Sequence, residues 1–272
     1  MASVGLDIGN GFVKCFSDGL SISFPSLFVK NNDSQWDGKK SKNLVGYDAV
    51  NIADDPGVNT IKPSISGDIL DSHGYGEFIL KSLNTVQKNT PISEIHIVSG
   101  IPFSSKHLKE KILKFFNNMG AKKCTVLPQA YGTLYEYGGT GSVINIGHGT
   151  VEMMICKNHR IISGQSLNAG IMNITKNLDC SDAGYTRNNF LDNIDEKILK
   201  IAVSDTASYI ANKYRQMMMG FNEDKLIISG GGILFHGMEN ALKKARVGKF
   251  TIPENPAMSN ARGLFQYGIN RE

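Results

Sequence analysis

Ser3-Val4-Gly5-Leu6-Asp7-Ile8-Gly9-Asn10-Gly11-Phe12-Val13-Lys14-Cys15-Phe16 alternates apolar and polar residues on both sides of a glycine-rich turn. That pattern predicts a β-hairpin. Just past the middle of the chain it returns. Ser142 to Ile146 reads as an apolar strand, Gly147-His148-Gly149-Thr150 as a glycine-rich turn, and Val151 to Cys156 as a second strand. Ile161 to Leu167 adds a third strand to this second unit. Two strand–turn–strand units of one kind predict two domains built alike.

Between and after these units the chain reads as mixed α/β. Ser21 to Val29 is a strand, Lys30 to Lys42 is polar and loop-like, and Asp54, Asp55, Pro56 and Gly57 form a turn cluster. Phe78, Ile79, Leu83 and Val86 fall at helical spacing. Ile95 to Ser99 is a short buried-type strand. Ser104 or Ser105 caps a helix with Leu108, Ile112, Phe115, Phe116 and Met119 on one face, stopped by Gly120. Glu196 to Met219 is a long helical stretch whose core positions are read as Ile198, Ile201, Ala202, Ile210 and Tyr214. Leu226 to Ile228 is a strand that ends in Ser229-Gly230-Gly231-Gly232, and Asn260 to Gly268 is a last helix.

Composition excludes more than it selects. With 41% hydrophobic and 20% charged residues in 272, the chain is an ordinary globular protein. Its net charge of +4 is mild and its lysines are spread along the sequence, so no basic arm for nucleic acid is evident. Cys15, Cys124, Cys156 and Cys180 stand singly, without the spacing of a zinc or redox site, which fits a reducing cytoplasm. The opening residues show no signal-peptide pattern, and no stretch is apolar for long enough to cross a bilayer.

Three glycine-rich turns, each after a short apolar strand, carry the chemistry. Such turns let backbone N–H groups surround an anion. Asp7 leads the first turn, where a carboxylate can hold Mg²⁺ through waters. Lys14, on the returning strand, can reach a phosphate as a point charge. The plainer alternative is an Asp that caps its own hairpin turn and a solvated Lys. The sequence has no GxxxxGK[ST] loop and no GxGxxG after a strand, so a bound nucleotide would be held by turns from two domains.

These segments resemble the actin, Hsp70 and sugar-kinase superfamily, and most of all its plasmid-segregation (ParM-type) and archaeal actin-like members. Gly5 to Lys14 resembles the first phosphate loop, Ser142 to Thr150 the second, and Leu226 to Gly232 the adenosine-binding turn. Pro128 to Tyr135 and Ala257 to Leu264 resemble the two helices that connect the domains, and Val98-Ser99-Gly100-Ile101-Pro102-Phe103 a segment common in the plasmid branch. The resemblance implies two RNase H-like, actin-type α/β domains with a nucleotide cleft between them. The first would comprise 1–139 plus 250–272, with a small subdomain near 24–75. The second would comprise 140–249, with a small subdomain near 176–222.

It also implies roles. Asp7 would face the magnesium shell, and Gly9, Asn10, Gly11 and Lys14 would hold the β-phosphate side. Asn145 opens the loop in which Gly147, His148, Gly149 and Thr150 would wrap the γ-phosphate. Gln129 would orient the attacking water; an ordinary surface Gln is the alternative. Gly230, Gly231 and Gly232, after Ser229, would admit the adenosine of ATP (or the base of GTP), with Phe235 beside it and Gly170 beside the ribose. The second loop of the family normally begins with an acid, and here it has Asn145; slow hydrolysis is expected. His148 stands where an acid or small polar residue is usual; it would bring charge to the γ-phosphate when protonated, or face solvent.

The function this implies is a cytoplasmic, filament-forming cytoskeletal or DNA-segregation ATPase that assembles with itself, with a DNA-bound adaptor protein as a further partner. One alternative is a nucleotide-binding regulator without turnover. Another is a small-molecule kinase, for which Asp54, Asp55 and Asp71 are the available bases.

Overall fold

The computed structural model describes residues 2–30, 43–53, 72–176, 194–222 and 225–271, with 55, 58, 60–62, 64, 65, 68 and 69. Asp54, Asp71, Cys180, the polar stretch 31–42 and residues 177–193 of the expected second subdomain lie outside them.

The chain begins with a three-strand meander: β1 (Ala2–Ile8), β2 (Phe12–Ser17) and β3 (Leu20–Pro25), antiparallel throughout. A set of small elements follows: β4 (Phe28–Val29), β5 (Leu44–Val45), α1 (Tyr47–Asn51), β6 (Thr60–Ile61), β7 (Ser64–Ile65) and β8 (Asp68–Ile69). The expected single strand over 21–29 is thus two, because the chain leaves the sheet at Pro25 and pairs β4 with β5 and β6 instead. Next come α2 (Ser72–Val86), β9 (Ile95–Ile101), α3 (Lys109–Asn118) and β10 (Lys123–Pro128). Leu108, not a serine, stands at the N-cap of α3, and a 3-10 turn over Phe103–Leu108 precedes it. β9 and β10 run parallel to β1, giving the order β10-β9-β1-β2-β3. β1 is therefore central, covered on both faces, and apolar along most of its length.

Helix α4 (Gln129–Glu136) leads into a second sheet: β11 (Gly141–Ile146), β12 (Val151–Lys157) and β13 (Arg160–Leu167). These again form an antiparallel meander. After α5 (Ile171–Lys176) and α6 (Glu196–Met217), β14 (Leu226–Ser229) joins parallel to β11. The order β13-β12-β11-β14 repeats the first sheet's plan, a meander whose first strand also takes a parallel neighbour. Then come α7 (Met238–Lys244) and α8 (Ser259–Ile269). Each sheet has its own core: Leu6, Phe24, Phe78, Ile97 and Phe116 in the first, Ile144, Met153, Ile210, Ile228 and Leu242 in the second.

Two core expectations for α6 are corrected. Ile198 and Ile201 are exposed, at 53% and 62%. The buried stripe is Leu199, Val203, Ala207, Ile210, Ala211 and Tyr214, one helical face shifted from the expected one. Asp195 starts the helix by accepting from the N–H groups of Lys197 and Ile198.

Helices α4 and α8 join the two sheets and pack on each other. They meet backbone to backbone: a Cβ on Gly263 would lie 1.8 Å from the carbonyl oxygen of Gly132. Glu136 of α4 is ion-paired with Arg262 of α8 and accepts from Ser259 at 2.9 Å. This crossing brings the turn after β1 and the turn after β11 to the same place.

Candidate functional site

The two glycine-rich turns face each other across a cavity of about 220 Å³. Each turn closes in the same way. The N–H of Gly9 donates to the carbonyl of Phe12, and that of Gly147 to the carbonyl of Thr150. The cavity is lined by Asp7, Gly9, Asn10, Gly11 and Lys14 from the first sheet's hairpin, and by Asn145, Gly147, His148, Gly149 and Thr150 from the second's. Gln129 at the start of α4, together with Gly231 and Gly232 after β14, completes it. The structure thus brings most of the sequence-predicted site residues into one cavity, although they come from four separated segments.

Four do not line it. Ser229 is fully buried and bonds to Thr133 and Asn145. Gly230, at φ 87°, lets the end of β14 turn over the backbone of Ile146. Gly170 backs the second turn: a Cβ there would lie 2.3 Å from the His148 carbonyl oxygen, which accepts from the N–H of Met172. Phe235 is packed in the second core with Met238 and Leu242.

Asp7 is 3% exposed and, among the described residues that line the cavity, is the one carboxylate. It sits opposite Lys14 in the β1–β2 register, and Lys14 Nζ lies 3.5 Å from its Oδ2. Its Oδ1 accepts no hydrogen bond. A buried carboxylate oxygen left open beside a glycine-rich turn suits a hydrated hard cation, which Mg²⁺ is. Gln129 lines the cavity and is 7% exposed, so it is not an ordinary surface Gln.

Sequence reading missed three residues. Asn260 of α8 and Thr133 of α4 form a buried polar network with Asn145 and Ser229. The third is Glu152, the cross-strand partner of Asn145 and 1% exposed. Its Oε2 accepts from the N–H of Phe103 at 2.8 Å and from the hydroxyl of Ser166 at 2.7 Å. Burial outweighs those bonds and pushes its carboxyl up to about 7. Its one sequence signal was a carboxylate two residues after a glycine turn, on the strand face shared with Asn145. Of the three acids considered for a kinase-type site, Asp55 is among the described residues; it is exposed and does not line the cavity.

A cleft between two like α/β halves, hinged by two crossing helices, is the actin fold. MreB5 of Spiroplasma citri bound to AMPPNP superposes with a TM-score of 0.81 at 14% identity, over 99% of this chain and 97% of that one. A 15-stranded ParM filament from Clostridium botulinum gives 0.74 at 17%, over 99% of each chain. Ta0583, an archaeal actin homolog, gives 0.76 at 20%, over the whole of both. At these identities the likeness establishes the fold. No protein-family model matches the sequence, and neither does any curated protein.

Proposed function

We propose that this chain is an actin-like protein that binds ATP or GTP with Mg²⁺ and assembles with itself into filaments, in a cytoskeletal or DNA-segregation role. The observation that carries the reading is the meeting of Asp7, Lys14, Gln129 and two glycine turns in one cleft between two like halves. The cleft would run between 1–139 plus 250–272 on one side and 140–249 on the other. Similar folds crystallised with AMPPNP or built into filaments support both parts.

The chemistry follows from the residues. Backbone N–H groups of the turns and Lys14 bind the phosphates. Asp7 would hold Mg²⁺, which supplies charge that offsets the phosphate oxygens. Gln129 orients a water by donating and accepting at once. Closing the halves excludes bulk water and presents a surface to the next subunit; release of phosphate loosens that contact.

A specific observation favours a second reading, binding without productive turnover. Where the family it resembles normally has an acid, Asn145 spends its amide protons on Ser229 at 2.9 Å and Asn260 at 3.4 Å. It leaves the metal's surroundings one negative charge short.

Light scattering and pelleting with ATP, GTP, ADP and no nucleotide, with assay of released phosphate, decides among these. Nucleotide-dependent polymer with phosphate release is expected. Polymer in no condition would overturn the filament reading. Tight binding with no phosphate release would favour the regulator, and Asn145→Asp should then start hydrolysis.

A further inference from the structure

Between Phe103 and Lys123 the chain holds six lysines and one carboxylate, Glu110. That is a local net charge of +5 in a chain whose total is +4, so all other residues together come to −1. Lysines occur throughout the chain; here it is the acids that are missing.

The fold turns this segment into one cationic face. Helix α3 buries Ile112 and Phe116, and Leu108 just before it, in the first core. Its exposed positions include Lys109, Lys111 and Lys114. Lys111 and Lys114 are three residues apart and so are neighbours on the helix surface. Lys106 before the helix and Lys122 after it are exposed as well. Among the described residues none of these five lysines forms an ion pair. Lys123 donates to the carbonyl of Arg271 at 2.8 Å, which sets the exposed Arg271 at the edge of the face. None of these residues lines the cleft.

The chemistry of the face selects its partner. Leu113, Phe115 and Met119 are partly buried against the first core, so no apolar side chain is left to anchor in a bilayer. Nor does the segment expose an aromatic ring on which the bases of a single strand could stack. The cations of the helix are all lysines, point charges that meet phosphate oxygens without reading base edges. Exposed Asn117 and Asn118 add uncharged donors beside them. A DNA duplex carries one negative charge per about 1.7 Å of its axis. A helix the length of α3 spans about 15 Å, so phosphates lie all along it.

We propose that the α3 face binds duplex DNA by its phosphate backbone, without sequence preference. This surface is separate from the cleft and goes beyond the nucleotide and filament reading. It lets the chain hold DNA directly, where that reading needs an adaptor protein.

The test is fluorescence anisotropy of a short labelled DNA duplex titrated with the full chain, from about 50 to about 200 mM salt. The wild type should bind with a Kd on the order of 1 to 100 μM at physiological salt, and log K should fall linearly with log salt. Lys111→Ala/Lys114→Ala should flatten that slope by about two and weaken binding to duplexes of unrelated sequence alike. Lys243→Ala/Lys244→Ala removes the same charge from α7 and should keep the wild-type slope. Urea unfolding midpoints near the wild-type value report that both variants fold. A duplex left free by the wild type at the lowest salt overturns the inference. So does an equal loss of slope in the two variants, which would mean that overall charge and not this face binds. Cosedimentation with phosphatidylglycerol vesicles is run beside it. Vesicles bound through Lys111 and Lys114 while the duplex stays free would assign the face to a membrane and overturn the DNA reading.

Discussion

Nδ2 of Asn260 lies 3.4 Å from Oδ2 of Asp7, a residue 253 positions away in the chain. The Oδ1 of the same amide accepts from Thr133 at 2.8 Å and from Asn145 at 3.4 Å. One side chain on the returning helix therefore ties the first turn, the outgoing helix and the second turn together. Replacing Asn260 with Ala strands several buried groups and should cost about 1–3 kcal/mol in urea unfolding. Nucleotide affinity should fall as well. Thr133→Val leaves the Asn260–Asp7 contact in place, so it should lose stability while keeping most of the affinity. Equal losses of affinity in both variants would count against Asn260 as the link.

The helix crossing gives a prediction about two glycines. At Gly263 an added Cβ meets backbone oxygen at 1.8 Å, so Gly263→Ala must force α4 and α8 apart. It should destabilise by roughly 3 kcal/mol or more, since overpacking against backbone has no side chain to move aside. At Gly231, which lines the cavity, the nearest atom would be 4.0 Å away. Gly231→Ala should unfold within about 0.5 kcal/mol of the wild type yet bind nucleotide more weakly. Denaturant melts paired with nucleotide titrations separate the two effects.

Glu152 predicts a pH dependence. Burial raises its carboxyl from 4.5 to about 7 in the folded chain. Between those values the folded protein binds a proton that the unfolded chain has lost. The Glu152 contribution to stability is therefore fullest below pH 4.5, falls as pH rises through that window, and levels off above 7. The difference amounts to at most about 3 kcal/mol. Glu152→Gln should abolish this slope, and its stability relative to the wild type should improve from pH 5 to pH 8. Parallel curves for the two proteins would mean that Glu152 does not titrate in this range.

Asp7 can be tested without endangering the fold. One of its oxygens is buried and accepts no hydrogen bond, which is an energetic burden that an uncharged Asn eases. Asp7→Asn should keep stability within about 1 kcal/mol of the wild type. It should also remove most of the Mg²⁺ dependence of nucleotide binding, measured by titrating nucleotide with Mg²⁺ and with EDTA. A full Mg²⁺ effect in the variant would assign the cation to other groups.

Sequence alone determined the pair of strand–glycine turn–strand units, their order, and the third glycine turn. These are local features: period-2 alternation and clusters of glycine report backbone geometry that neighbouring residues already dictate. Asp7, Lys14 and the two turns were singled out for that reason, whereas Gln129 came only from the resemblance of Pro128 to Tyr135 to a connecting helix. Where the apolar pattern was ambiguous, reading failed. Ile198 and Ile201 are as apolar as Leu199 and Val203, and only packing against the second sheet chose the buried face of α6. Phe235, placed beside the base by the resemblance alone, belongs to the core of the second half. Asn260 and Thr133 carry no local signal, since their partners lie about a hundred or more residues away, and Glu152 had only its place two residues after a glycine turn. Tertiary structure also decided that Asn10 meets Gly149 and His148 meets Gly11. Those contacts exist because two helices cross at Gly132 and Gly263 and bring two separate turns face to face, a distance relation that no run of sequence encodes by itself.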